Sequence, residues 1–186
     1  MRAWPSSPSR GRKAPAAFLD RDGTLNRDRA GVYITSPDKL KIYSGVPRAL
    51  RLMADKGYRL VVLTNQSGVA RGYMTLAQAR RINLKLVREL RKAGVRLAGV
   101  YFCPHGPDDR CRCRKPAAGL IREAMKDLAI DLERSFVAGD KKSDLELARA
   151  AGIRGMLVRT GQGKAAGVPG FPGLMALARA LPEVKG

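Results

Sequence analysis

The stretch Ala16-Ala17-Phe18-Leu19-Asp20-Arg21-Asp22-Gly23-Thr24-Leu25-Asn26 decides how the rest of the chain is read. Four consecutive apolar residues followed by an abrupt polar run read as a buried strand that stops at Asp20. Alternation along a strand puts Asp20 and Asp22 on the same side. Gly23 permits the sharp departure that leaves both acids at the strand's carboxyl end. Two carboxylates side by side repel, so the pair needs a cation or a proton-handling task. A plain strand followed by an Asp-Gly turn explains the same residues without any function, and the surrounding sequence decides between the two.

Outward from this stretch, strands and helices alternate. Pro47 to Gly57 has proline near its start, apolar residues at helical spacing and glycine at its end, and predicts a helix. Tyr58-Arg59-Leu60-Val61-Val62-Leu63 predicts a second buried strand, running into Thr64-Asn65-Gln66-Ser67-Gly68. A long helix follows from about Thr75 to Ala93, closed by Gly94. Ala98 to Phe102 is a strand, Pro116 opens a helix to about Leu128, and Ser135 to Gly139 is a strand that ends at Asp140. Ser143 and Glu146 have capping-box spacing in the short helix that leads to Gly152. Gly155 to Val158 is the last strand. Gly161 to Gly173 reads as loop, with a terminal helix over Leu174–Leu181. Such alternation predicts an α/β fold: a Rossmann-like three-layer sandwich with a mostly parallel central sheet. The polar motifs fall just past strand ends, where ligands bind in such sheets.

The chain's 186 residues suit one domain with a substantial core. Residues 1–15 carry Arg2, Arg10, Arg12 and Lys13 with no acid, and are expected to be a disordered basic tail ahead of a single domain over 16–186. No apolar run approaches a membrane span, and the opening residues lack the apolar core of a secretory signal, so a cytoplasmic protein is expected. The net charge of +20 would attract phosphorylated molecules or nucleic acid, or else belongs to a solvated arginine-rich surface. Aromatic residues make up only 5%, which disfavours a surface that stacks single-stranded bases.

All three cysteines and the sole histidine fall within eleven residues, as Cys103, His105, Cys111 and Cys113. Three sulfurs and one imidazole complete a tetrahedral zinc set with no position left open, so the expected zinc is structural and not catalytic. Asp140, Thr64 and Lys115 are each weak signals alone, since acids after strands often cap helices and lysines are usually solvated. Together with Asp20 and Asp22 they supply a carboxylate nucleophile, a second carboxylate for proton transfer, a hydroxyl and an ammonium for phosphate oxygens, and an acid for a metal.

"DRDGTLN", "TNQSG" with "VARGYM", "CRCRKP" after "CPH", and "GDKKSD" stand in the order and spacing of haloacid dehalogenase (HAD)-type phosphatases. The resemblance spans about residues 16–160 and is to their zinc-loop branch, whose members act on heptose bisphosphates or histidinol phosphate. It implies a HAD-like fold without a large cap domain and a role in carbohydrate metabolism, towards lipopolysaccharide precursors. By the same resemblance Asp20 attacks phosphorus, and Asp22 protonates the leaving alcohol and later activates water. Mg²⁺ is held by Asp20, the backbone carbonyl of Asp22, and Asp140. Thr64 and Lys115 hold the transferred phosphoryl group, Arg114 and Lys141 contact substrate, and Asn65, Gln66 and Ser67 complete the pocket. Two loops depart from the branch's pattern: the one between His105 and Cys111 is short, and the one after Asp28 is a residue longer. Both are expected to border the substrate, and Arg71, Arg112 and Arg114 are expected to grip a second phosphate.

The expected substrate is a phosphorylated sugar, met by a monomer with no membrane contact and only non-specific attraction for nucleic acid. A histidinol-phosphate phosphatase, a polynucleotide 3′-phosphatase and a basic zinc-containing nucleic-acid-binding protein are the alternatives. Against the last of these, the Asp-x-Asp pair would repel phosphate without a metal.

Overall fold

A computed structural model describes residues 2–4, 9–29, 31–161 and 167–184. In chain order its elements are β1 (Arg2–Trp4), β2 (Ser9–Leu19), α1 (Val46–Asp55), β3 (Arg59–Asn65), α2 (Leu76–Lys92), β4 (Gly99–Cys103), α3 (Gly119–Asp127), β5 (Leu128–Gly139), α4 (Lys142–Ala150), β6 (Arg154–Val158), β7 (Gly170–Phe171) and α5 (Leu174–Ala180). One sheet holds all seven strands in the order β1-β4-β3-β2-β5-β6-β7. Every neighbouring pair is parallel except β1 with β4.

The strand that carries the opening acidic stretch is the middle of this sheet. From β2 the chain builds outward through β3 to β4, then returns to lay β5 on the other flank of β2. Loops leaving β2 and β5 therefore part in opposite directions and open a crevice between their carboxyl ends. Period-two alternation divides the core between two layers. Ala17 and Leu19 pack with α1, α2 and α5, while Ala16 and Phe18 pack with α3 and α4. Helix α2 shows how sequence sets such an element. The Thr75 hydroxyl accepts from the Gln78 amide at 3.1 Å and the Gln78 side chain accepts from the Thr75 amide at 2.7 Å. Inward positions Ala79, Ile82, Asn83, Leu86, Val87 and Leu90 follow at helical spacing. Gly94, at φ +76°, ends the turn.

Five expectations are corrected. The first fifteen residues contribute strands where they are described: Arg2–Trp4 pairs with β4, and β2 already pairs with Leu128 at Ser9. Residues 1 and 5–8, also expected in the tail, lie outside the described residues. Backbone pairing at a sheet edge is indifferent to side-chain charge, which is why a basic composition did not reveal it. Strand β5 begins at Leu128, seven residues before the expected Ser135. Helix α3 begins at Gly119 and not at Pro116, with the Ala117 amide closing a turn onto the Arg114 carbonyl at 2.8 Å. A Cβ at Gly119 would stand 2.0 Å from the Arg112 carbonyl oxygen, so the cysteine loop lies directly on the start of the helix. Finally, α4 is capped by Asp144, whose Oδ2 accepts from the Lys141 amide at 3.1 Å, while Glu146 pairs with Lys142. Part of the loop expected over Gly161–Gly173 forms the two-residue β7, and residues 162–166 lie outside the described residues. Among the described residues no helix is long and apolar enough to cross a membrane.

Candidate active site

The chain leaves β2 at Leu19 and wraps a tight loop around the Arg21 carbonyl, which accepts from the amides of Leu25 at 2.8 Å and Asn26 at 3.1 Å. Gly23 holds φ +91° in this loop, and a Cβ there would fall 2.5 Å from Asp140 Oδ2. Glycine is therefore required both for the turn and for the close approach. The loop, and not strand alternation, sets the two acids of the opening stretch: Asp20 faces Lys115, while Asp22 faces Arg21, Asn26 and Gln66.

Carboxylates of Asp20, Asp140 and Asp144 converge so that one oxygen from each lies within 4.8 Å of the others, and all three residues are buried. They come from the ends of β2 and β5 and the first turn of α4. Lys115 enters from the cysteine loop and donates at 2.6 Å to Asp20 Oδ1, at 2.6 Å to Asp144 Oδ1 and at 3.1 Å to the Leu63 carbonyl. Its backbone is clamped by Asn65, which accepts from the Lys115 amide at 3.1 Å and donates to the Lys115 carbonyl at 3.2 Å. Burial by itself would lower the lysine's pKa, but the charges of Asp144 and Asp20 outweigh it and hold the ammonium above its ordinary range. Asp144 shifts upward because it is buried and near Asp20, against the pull of Lys115.

Asp22 is handled differently. Burial pushes its carboxyl up, yet the Arg21 charge and the hydrogen bonds from Arg21, Asn26 and Gln66 bring it below the usual range. Gln66 Nε2 donates at 2.8 Å to Asp22 and at 2.9 Å to Thr64 Oγ1, so the third strand end is tied into the same group. Lys141 donates to Asp28 at 3.0 Å and reaches the Asp22 carbonyl at 3.4 Å. The charges of Asp20, Asp140 and Asp28 raise it against its burial.

A cleft of about 320 Å³ opens over this group, lined by Asp22, Asn65, Gln66, Ser67, Arg114 and Lys141 among others. The longer loop after Asp28 borders it as expected, through Asp28, Arg29, Gly31, Val32, Tyr33 and Ile34. Residues 106–110 are not in the lining, nor are Arg71 and Arg112; the arginines that line the cleft are Arg29 and Arg114. Of the residues expected from the sequence, the structure brings Asp20, Asp22, Thr64, Lys115 and Asp140 into one group, and it adds Arg21, Asn26, Asp28 and Asp144 to that group and Ser143 to the cleft lining. Asp144 carried a signal, lying four residues after Asp140; the others look like ordinary polar loop residues.

Two donor sets suit metals. Three carboxylates and one ammonium leave two buried negative charges, and hard oxygen donors in that number fit Mg²⁺. A Cβ at Gly161 would lie 2.1 Å from Asp140 Oδ2, so backbone on two sides fixes that ligand. The four residues Cys103, His105, Cys111 and Cys113 also cluster. Their separations are 3.5 Å for Cys103 Sγ to His105 Nδ1, 3.2 Å for His105 Nδ1 to Cys113 Sγ, 3.6 Å for Cys103 to Cys111 and 3.7 Å for Cys111 to Cys113. A tetrahedral ion bonded at about 2.3 Å to sulfur and 2.1 Å to nitrogen spaces its ligands roughly 3.5–3.8 Å apart. Disulfides are excluded at these distances, being about 2.05 Å.

Sequence comparison bears on the same residues. A family model described as HAD-hydrolase-like matches residues 112–175. A probable D-glycero-D-manno-heptose-1,7-bisphosphate 7-phosphatase of Thermoplasma acidophilum is 45% identical, covering 73% of this chain and 84% of that protein. The D-glycero-beta-D-manno-heptose-1,7-bisphosphate 7-phosphatase of Haemophilus ducreyi is likewise 45% identical, over 79% of this chain and 84% of that one. The chain belongs to the heptose-bisphosphate phosphatase family of HAD-like hydrolases. A solved structure of a family member, the D,D-heptose 1,7-bisphosphate phosphatase of B. bronchiseptica complexed with magnesium and phosphate, superposes with a TM-score of 0.80 at 35% identity. The match covers 89% of this chain and 96% of that one, so the family's fold accounts for nearly the whole molecule.

Proposed function

We propose that this chain is a Mg²⁺-dependent phosphatase that removes the 7-phosphate of D-glycero-D-manno-heptose 1,7-bisphosphate through an aspartyl phosphate on Asp20. The observation that carries the reading is the buried cluster of Asp20, Asp140 and Asp144 around Lys115, set beside Asp22 at the ends of β2 and β5. Mg²⁺ would be held by the carboxylates of Asp20 and Asp140 and the Asp22 carbonyl. When bound it would offset negative charge on the phosphoryl oxygens.

The chain's own residues then divide the work. Asp20 Oδ attacks phosphorus as the bond from phosphorus to the sugar's bridging oxygen breaks. That oxygen keeps the electron pair and takes a proton from Asp22. In the second half, water attacks the phosphoryl group, gives its proton to Asp22, and the bond from Asp20 to phosphorus breaks, releasing phosphate. Without substrate Asp22 is ionised, held so by Arg21. A phosphate anion arriving beside it favours its protonated form, which is the form needed to protonate the alcohol. Lys115 and Thr64 are assigned to the transferred phosphoryl group, with Asn65, Gln66 and Ser67 around it. Arg114, Arg29 and Lys141 are assigned to the remainder of the substrate. An open, cationic cleft suits a doubly phosphorylated sugar.

Cys103, His105, Cys111 and Cys113 would hold a structural Zn²⁺. Lys115 lies two residues beyond Cys113, and Arg114 donates to the His105 carbonyl at 3.1 Å, so the clasp would set where Arg114 meets the cleft and where Lys115 meets the buried acids.

The test is phosphorus NMR of heptose 1,7-bisphosphate incubated with enzyme and Mg²⁺. Loss of the 7-phosphate signal with the 1-phosphate retained is expected, and Asp20→Asn abolishes it. Near-normal phosphate release by Asp20→Asn would exclude covalent catalysis at Asp20.

A further inference from the structure

One buried cation neither makes a bond nor moves a proton in the steps above. Arg21 is fully buried, in a loop whose neighbours already supply the reacting carboxylates. Its Nε donates at 3.0 Å to Asp22 Oδ1 and its Nη2 at 2.8 Å to Asp22 Oδ2, a two-pronged contact between adjacent residues. Nη2 also donates to Gln66 Oε1 at 3.0 Å, and Nη1 donates to Asn83 Oδ1 at 2.8 Å. Asn83 is itself fully buried on the inner face of α2, among Ala79, Ile82, Leu86 and Leu90.

Burying a guanidinium and an amide in this layer is expensive, and apolar residues of similar volume would pack there more favourably. Stability alone therefore does not account for the pair. The arrangement around Asp22 does. A carboxylate has about four in-plane acceptor sites. Here they receive Arg21 Nε and Asn26 Nδ2 on Oδ1, the latter at 2.9 Å, and Arg21 Nη2 and Gln66 Nε2 on Oδ2. A substrate oxygen that is to exchange a proton with Asp22 has to displace one of these donors. Gln66 lines the cleft, whereas Arg21 is sealed behind it and pinned to α2 through Asn83.

We propose that Arg21, tethered by Asn83, is a positioning residue that fixes the plane of the Asp22 carboxylate, so that the place held by Gln66 on Oδ2 is the one yielded to the substrate's bridging oxygen. The inference rests on the reading of Asp22 as the group that protonates the leaving alcohol.

The variants Asn83→Leu, which removes the acceptor while keeping the branching and number of heavy atoms, and Arg21→Lys, which keeps the charge and loses the two-pronged contact, test it. Each is assayed with heptose bisphosphate, whose leaving alcohol needs a proton, and with p-nitrophenyl phosphate, whose leaving anion does not. Thermal melting, recorded in parallel, sets the assay temperature below each variant's transition. For heptose bisphosphate kcat is expected to fall by about 10- to 100-fold, within the scale of impaired acid–base catalysis, with KM changed by less than about 3-fold. For p-nitrophenyl phosphate the loss in kcat/KM, which ends at transfer to Asp20 and omits the water step that Asp22 serves for both substrates, is expected to stay below about 3-fold, because proton donation contributes little there. Asn83→Asp, which restores an acceptor for Nη1, brings kcat back to within about 5-fold of the parent. Equal losses of kcat/KM on the two substrates, or a loss confined to KM, would overturn the positioning role. Asp22→Asn is the control that separates the two ideas. If it lacks the leaving-group dependence, the general-acid reading fails. If it shows that dependence while Asn83→Leu and Arg21→Lys do not, only the role of Arg21 fails.

Discussion

Replacing Lys115 with methionine removes the only cation hydrogen-bonded, among the described residues, to both Asp20 and Asp144. Both bonds are 2.6 Å long, and the lysine is only 5% exposed, so solvent cannot take over as partner. Breaking a buried ion pair by deleting one member destabilises by about 3–5 kcal/mol, because a charge is left uncompensated. In a domain of this size each kcal/mol lowers Tm by roughly 2–4 °C, so a fall of roughly 6–20 °C is expected without divalent metal. The same three carboxylates now present a more negative site, and Mg²⁺ can replace the missing positive charge. The melting transition of Lys115→Met should therefore rise more steeply with added Mg²⁺ than that of the parent, while turnover stays lost. Differential scanning calorimetry across a Mg²⁺ titration measures this directly. A variant that melts within 2 °C of the parent in EDTA, or that gains no more from Mg²⁺ than the parent does, would refute the view that Lys115 balances this cluster.

Removing the sulfur clasp with Cys111→Ser and Cys113→Ser should release one zinc per chain by elemental analysis and lower activity by about 100-fold through misplacement of Lys115, with no rescue by Mg²⁺. Gly23→Ala must adopt φ +91° and thrust a Cβ to 2.5 Å from Asp140 Oδ2. A loss of about 1–3 kcal/mol in chemical denaturation and about 100-fold in kcat is expected. Acid stability carries a sign that can be checked. Asp22 is held below its ordinary value of 3.8 in the fold, so its contribution is present above that pH and lost as pH falls through the folded value. Asp22→Asn should accordingly show a shallower loss of stability below about pH 4, read from urea unfolding at successive pH values.

What the sequence determined by itself is local. Period-two and period-3.6 patterning placed the strands and helices, because each residue's apolar or polar character is printed at its own position. Soft donors gathered within one loop marked the four-residue cluster, because Cys103, His105, Cys111 and Cys113 need only a short chain to meet. The acidic stretch was legible for the same reason, since Gly23 and its neighbouring acids occupy a single turn. Only the tertiary structure decided what crosses the sheet. Asp144 joins Asp20 across 124 residues through Lys115, and Arg21 finds Asn83 on a helix whose other inner positions are apolar. A polar residue at a core position looks like a defect in pattern until its partner is known. The opening residues illustrate the same limit from the backbone side. Their charge suggested a tail, yet a sheet edge and the long β5 offered amides and carbonyls to pair with. Hydrogen bonding by the main chain leaves no mark in side-chain composition, so topology alone could assign them.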